Sequence, residues 1–520
     1  MKFRWSYNEI DDSSIFEQIV KNRKIDESFI YADFDDIPSY HQMKDMEKAA
    51  DRIIEAVTKN QKIMIYGHDD VDGVTATYIL FDFLEKVGFQ NHFYYIPNRL
   101  LENHGIPLSL VQRLIQDEFD LLVTVDGGIS EFSKVEDLNE LGIDVVITDH
   151  HIVPEELPDA YAVVNPKQTD CKFPDEMLAG VAVSYFLVKT IADKLDFEID
   201  ENYLFWVAVG TVADKVPMLG VNRLILKEVL DKWFLYNDLA LLALKPYLMS
   251  NPSYDRRIGS LKFIARLLSN GRQPFGEHLS LYFLLAPASE KEIILQKLVQ
   301  EQRRYEARIN LVSEFLEDEI EVDDNNCIIY FDEYDRIDVN LLGFAASQLS
   351  SRYKIPVVML KKREDIISGE ARATKGFCLI TAFEECKETL IQFGGHSRAA
   401  GFTAKPENIE KFKQLFEEYC AKNREEIEFF QKMTIDAVFS IEEMDMFYNY
   451  LQTDYHLLQP FGQGNRNPTF LLKNFCPEKD WQKIKLKESK NRLDFNKTYD
   501  ILFKFRGTNF HLVDFREIKK

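Results

Sequence analysis

Apolar and polar positions change period several times along the chain. Between residues 45 and 165, short apolar runs alternate with stretches whose apolar residues recur every three or four positions. The runs Lys62–Tyr66, His92–Ile96, Leu121–Asp126, Val145–Thr148 and Ala160–Val164 predict strands, with helices between most of them. An amphipathic helix over Met46–Thr58, started by Asp45, feeds the first of these strands. Such alternation predicts a parallel or mostly parallel sheet with helices on both faces. Ser289-Glu290-Lys291-Glu292 has the form of a capping box and opens a long helix to about Ile320. Ile294, Leu298, Tyr305, Ile309, Val312 and Leu316 share one of its faces, and its length of about 45 Å is enough to join two domains. A second α/β region follows, with strands at Cys327–Phe331 and Pro356–Leu360 and helices at Leu342–Arg352, Ile380–Ile391 and Ile409–Ala421. From Thr434 the pattern turns to short strands: Thr434–Phe439, Thr469–Leu472, Gln482–Leu486, Thr498–Phe505 and Phe510–Phe515. The expected fold class is therefore α/β, with two α/β domains joined by a long helix and a C-terminal β-barrel. The expected domain limits are a lead-in over 1–44 that wraps the first domain, a first α/β domain with a helical extension over 45–287, the connecting helix over 288–322, a second α/β domain over 323–425 and the barrel over 430–520.

Composition narrows the function classes. At 46% hydrophobic and 29% charged residues the chain is that of a folded globular protein, and no run of eighteen apolar residues provides a membrane span. The opening MKFRWSYNEIDDSS lacks the apolar core of a signal peptide. The six cysteines are scattered without CxxC or zinc spacing, which predicts reduced thiols in a cytoplasmic protein. A net charge of −23 argues against a generally basic nucleic-acid coat but leaves room for a local basic groove.

The candidate chemistry lies where apolar segments end. His68, Asp70 and Asp72 follow the first strand. Asp126 precedes Gly127-Gly128, Asp149-His150-His151 follows Thr148, and Asp214 closes an apolar helical stretch. Singly, each has an ordinary explanation as a turn, a core imidazole or a helix cap. Jointly, segment ends in a parallel sheet face one crevice, so these groups can converge. A set of carboxylates and imidazoles without thiols suits two Mn²⁺ or Mg²⁺ ions, held by His68, Asp70, Asp72, Asp126, His150 and Asp214. Paired ions of this kind hydrolyse phosphoesters. His151 would orient a ligand or touch the phosphate. In the last region Phe461, Phe470, Phe503, Phe505 and Phe510 interleave with Lys483, Lys485, Lys504 and Arg506, as a groove for single strands would, although core packing is the commoner use of such rings.

The segments GHDDVDG, VTVDGG, ITDHH and GTVAD resemble the four motifs of the DHH phosphoesterase superfamily, and the chain resembles more narrowly its RecJ family. The resemblance extends to Ile96-Pro97-Asn98-Arg99, to Gly369-Glu370-Ala371-Arg372, to Phe393-Gly394-Gly395-His396 continuing to Gly401, and to Leu458–Asn465. It departs at His68, where RecJ proteins often carry Asp, at 265–272, and at 337–343. It implies DHH and DHH-associated domains followed by an OB-like domain. It also implies 5′→3′ hydrolysis of single-stranded DNA to mononucleotides in DNA repair and recombination. The strand would enter between the two α/β domains, and a single-strand-binding protein is the implied partner of a monomeric enzyme. Arg99, Arg266, Arg272 and Arg372 would hold substrate phosphate, and a turn at Gly394, Gly395 and His396 would offer N–H groups and an imidazole. Two other readings remain open at this point: a DHH phosphodiesterase of short oligonucleotides or cyclic dinucleotides, and an inactive DHH scaffold.

Overall fold

The computed structural model describes residues 3–6, 13–98, 102, 105–250, 252–273, 277–319, 326–423, 431–484, 486–487 and 493–518. Its contacts divide the chain into two compact units, Tyr7–Gln302 with Thr434–Lys520, and Met1–Ser6 with Arg303–Met433. The long helix Ala288–Glu319 gives its first half to one unit and its second half to the other.

The larger unit is built on a five-stranded, all-parallel sheet. Its strands are Ile63–Gly67, His92–Tyr95, Leu121–Val125, Asp144–Thr148 and Ala162–Val164, and the second lies at the edge beside the first. Successive side chains go to opposite faces. Ile63, Ile65, Leu121, Val123 and Val125 bury against helices Met46–Thr58, Val71–Lys86 and Gly180–Leu195. Met64, Tyr66, Leu122, Val145 and Ile147 bury on the other side, with helices Leu108–Gln116 and Phe132–Glu140. Both faces are covered, so the strands read as nearly continuous apolar runs. Beyond the sheet, helices Asn202–Asp214, Gly220–Asp231 and Tyr254–Leu268 extend the same core.

The C-terminal part of this unit is a five-stranded, OB-like sheet in the order Ala437–Ser440, Phe470–Phe475, Tyr499–Arg506, Asn509–Glu517, Leu486–Lys487. Phe470 and Phe503 are core residues here, and Phe461, Phe505 and Phe510 pack partly buried against the same core, so these rings are structural. Lys485 lies outside the described residues. The lead-in does not simply wrap the first domain. Helix Ile15–Arg23 buries Ile15 and Ile19 in the C-terminal core, and Arg23 meets the buried Asp436 at 2.9 Å.

The smaller unit carries a mixed five-stranded sheet in the order Leu390–His396, Ala399–Ala404, Ile366–Arg372, Val357–Arg363, Ile328–Phe331. The sequence pattern predicts only the last two of these strands. The predicted helix over 380–391 stops at Glu385, because Leu390 onward pairs with the next strand. The Gly394-Gly395-His396 turn is likewise corrected. These residues form an edge strand paired with Gly401, Ala400 and Ala399, and the reversal falls at Ser397–Arg398. Gly395 has φ of 130°, and a Cβ there would lie 2.5 Å from the Ala399 carbonyl, so the glycine serves the hairpin.

Candidate metal centre

Parallel register brings Gly67, Val125 and Thr148 level. The residues that follow, His68, Asp126 and Asp149 to His151, leave the sheet side by side at its carboxyl edge. Asp126 turns the chain with φ of 56°. Asp70 is the N-cap of helix Val71–Lys86 and accepts from the Gly73 N–H at 3.0 Å. Asp72, the second residue of that helix, accepts from the Gly180 and Val181 N–H groups at 2.8 Å each, so the N-terminus of helix Gly180–Leu195 fixes both its oxygens. Asp214 is the last residue of helix Asn202–Asp214.

These groups meet. His150 Nε2 lies 3.2 Å from Asp126 Oδ1 and 3.8 Å from both Asp72 Oδ2 and Asp214 Oδ2. His68 Nδ1 is 3.2 Å from Asp70 Oδ2. Three overlapping sets each bring one donor atom per residue within 4.8 Å of the others: His68, Asp70 and Asp126; Asp126, His150 and His151; Asp72, His150 and Asp214. Asp126 and His150 each belong to two sets, which is what neighbouring cation positions sharing ligands require.

Burial pushes the Asp126 and Asp72 carboxyls well above the ordinary carboxylate range, and the charges of neighbouring aspartates add to the effect. Burial acts the same way on Asp70, but the His68 imidazole and the Gly73 N–H outweigh it and hold that carboxyl low. Burial also lowers the His150 pKa. His150 Nδ1 lies 2.9 Å from the Leu178 carbonyl, which can only accept, so Nδ1 carries the proton and Nε2 keeps its lone pair for a cation. Asp149 orients the turn, accepting from the His150 and His151 N–H groups, the His151 ring at 2.7 Å and the Ile129 N–H. The hydrogen bond that the His151 ring donates to Asp149 raises the His151 pKa.

Divalent cations fit this set. Asp126 Oδ1, His150 Nε2 and His68 Nδ1 are shielded from solvent and have no hydrogen-bond partner among the described residues, a costly state that a cation relieves. The oxygen and imidazole donors match Mn²⁺ or Mg²⁺.

A cavity of about 760 Å³ opens beside the centre, lined by Asp70, Asp72 and Asp214 and by Lys262 and Arg266 of helix Tyr254–Leu268. Arg272 Nε donates to Asp69 Oδ2 at 2.5 Å. Arg99 lies outside the described residues. In the smaller unit, Arg372 and His396 both stand level with Ala399, on the two strands that flank it. Asp69, the Gly180 N–H and Lys262 escape the sequence reading, and Asp149, named there within its motif, carries no role in it. Asp69 lies inside the opening motif, and its acidity was the only available signal.

A parallel sheet with His/Asp motifs at its carboxyl edge is the architecture of a DHH protein. The family model described as the DHH family N-terminal domain matches residues 62–211, and that of the DHHA1 domain matches 325–422. The chain belongs to the RecJ family. It is 32% identical over 453 residues to a RecJ single-stranded-DNA-specific exonuclease of Bacillus subtilis (strain 168), covering 85% of this chain and 56% of that protein. It is 30% identical over 409 residues to the RecJ of Haemophilus influenzae, covering 73% and 70%. Among solved structures, RecJ of Thermus thermophilus in complex with Mn²⁺ superposes with a TM-score of 0.79 at 22% identity, over 99% of this chain and 80% of that one. An exonuclease RecJ bound to manganese gives 0.63 at 26% identity, over 73% and 95%.

Proposed function

We propose that this chain is a metal-dependent exonuclease that degrades single-stranded DNA from the 5′ end to mononucleotides, serving DNA repair and recombination. The observation that carries the reading is the meeting of Asp126 Oδ1 and His150 Nε2, both shielded from solvent and without a hydrogen-bond partner among the described residues, in a chain of the RecJ family.

His68, Asp70, Asp72, Asp126, His150 and Asp214 would hold two Mn²⁺ or Mg²⁺ ions. Bound there, such ions lower the pKa of water and offset charge on the scissile phosphate. The protein does the positioning. Gly180 and Val181 lock Asp72, and Leu178 sets the His150 tautomer. His151, 55% exposed and kept basic by Asp149, can donate from Nε2 to a phosphate oxygen. Arg99, Arg266, Arg272, Arg372 and the Gly394-Gly395-His396 strand are the proposed substrate contacts. No helix among the described residues is long and apolar enough to cross a membrane. A cytoplasmic location, a monomeric state and a single-strand-binding partner complete the proposal.

Strands of DNA and RNA labelled at either end test it. Release of labelled mononucleotide from the 5′ end of DNA in Mn²⁺ or Mg²⁺, abolished by chelator, is expected. Activity in chelator, or release from the 3′ end first, overturns it.

A further inference from the structure

Helix Tyr254–Leu268 places Lys262 and Arg266 four residues apart on one exposed face, about 6 Å apart along its axis. Both line the cavity that Asp70, Asp72 and Asp214 also line, and Lys215 joins them there. In a chain of net charge −23, none of the three cations has a salt-bridge partner among the described residues. They form no ion pair with the carboxylates of the same cavity, which are engaged with one another, with His150 and His68, and with N–H groups. Once two dications offset the charges of Asp70, Asp72, Asp126 and Asp214, the uncompensated charge along this cavity is that of Lys262, Arg266 and Lys215, a state that calls for an anion. Gly259, one turn earlier on the same helix, also lines the cavity, and a Cβ there would meet nothing, so this end of the wall is open.

We infer that Lys262, acting with Arg266, holds successive backbone phosphates of the single strand beside the scissile bond. This rests on the exonuclease reading, and makes the Tyr254–Leu268 helix a phosphate rail that carries no base information. Lysine is a point-charge contact suited to that task, because it tolerates any strand conformation.

The test is salt-dependent binding, read by anisotropy of a fluorescein-labelled oligodeoxynucleotide with phosphorothioate linkages, in Mn²⁺ with the full-length protein. Each phosphate contact contributes a slope of about 0.7 in log affinity against log salt for single strands. Lys262→Ala is expected to lower the slope by about 0.7, Lys262→Ala with Arg266→Ala by about 1.4, and Lys262→Arg to restore it. An unchanged slope in Lys262→Ala overturns the inference. So does an unchanged slope accompanied by altered Mn²⁺ binding, since the cations would then only balance the carboxylates. Wild-type protein that neither binds nor degrades single strands overturns the exonuclease reading itself, and the two failures are thereby told apart.

Discussion

Arg272 donates through Nε to Asp69 at 2.5 Å, the carboxylate 2% exposed and the guanidinium 46% exposed. The buried partner pins the stem of the fork and leaves the two terminal nitrogens for a phosphate. Asp69 sits between His68 and Asp70, so one turn carries two proposed metal ligands and the carboxylate that holds Arg272. Asp69→Ala should raise KM for single strands about tenfold with kcat changed less than about threefold, the loss of one charge-assisted hydrogen bond. Asp69→Asn, which keeps an acceptor, should recover most of it, and Mn²⁺ titration should be unchanged in both.

Asp126, a proposed metal ligand, costs the metal-free fold stability when it is ionised. Burial and the charges of Asp72 and Asp70 raise its pKa, so the folded state binds a proton more tightly than the unfolded chain. Stability of the metal-free protein therefore falls as pH rises from the ordinary carboxylate range through the raised value. Asp126→Asn should gain about 1–3 kcal/mol at pH 8 without metal, flatten that pH dependence and lose the Mn²⁺-induced rise in Tm. Calorimetric unfolding with and without Mn²⁺ checks all three.

Gly180 is a site residue without a side chain. A Cβ there would lie 2.5 Å from Asp126 Oδ1, while its N–H holds Asp72. Gly180→Ala should weaken Mn²⁺ binding at least about tenfold, by displacing a ligand rather than removing one. Isothermal titration gives the number, and an affinity within about twofold of wild type would sink the prediction.

His278 reports on the wall behind Arg272. Both ring nitrogens are shielded from solvent without a hydrogen-bond partner among the described residues. Burial lowers its pKa to about 4, with the Asp69 and Arg272 charges acting in opposite directions. The unfolded chain takes up the proton first as pH falls. The corresponding stability is thus full above about pH 6.5 and falls by up to about 3 kcal/mol toward pH 4. Denaturant titrations of wild type and His278→Gln should show that their difference in pH slope is confined to this window.

Gly343 backs Arg372 within the smaller unit. A Cβ would lie 2.6 Å from Arg372 Nη2 and 3.3 Å from Glu370 Oε2. These are the far ends of flexible side chains, so Gly343→Ala should fold within about 1 kcal/mol of wild type. Its KM for single strands should rise as much as in Arg372→Ala, since both remove the same guanidinium from its place. Parallel kinetics of the two variants decide the matter.

The sequence by itself determined the elements whose signal is local. Short continuous apolar runs and the acids at their ends made the five strands of the first sheet and the positions of His68, Asp70, Asp126 and His150 legible, because a parallel sheet sends every such end to one edge. Tertiary structure alone decided what each acid does. Asp72 is held by N–H groups more than a hundred residues away, Asp69 by Arg272 across 203 residues, and Lys262 shares a cavity with the carboxylates only because its helix packs there. It also placed Ile15 and Ile19 in the C-terminal core, and turned Gly394–His396 into a strand against its glycine content, because the pairing of Gly395 with Ala400 outweighs local preference. Periodicity is written in neighbouring residues, whereas a carboxylate's partner is chosen by whichever distant backbone the packed core brings within reach.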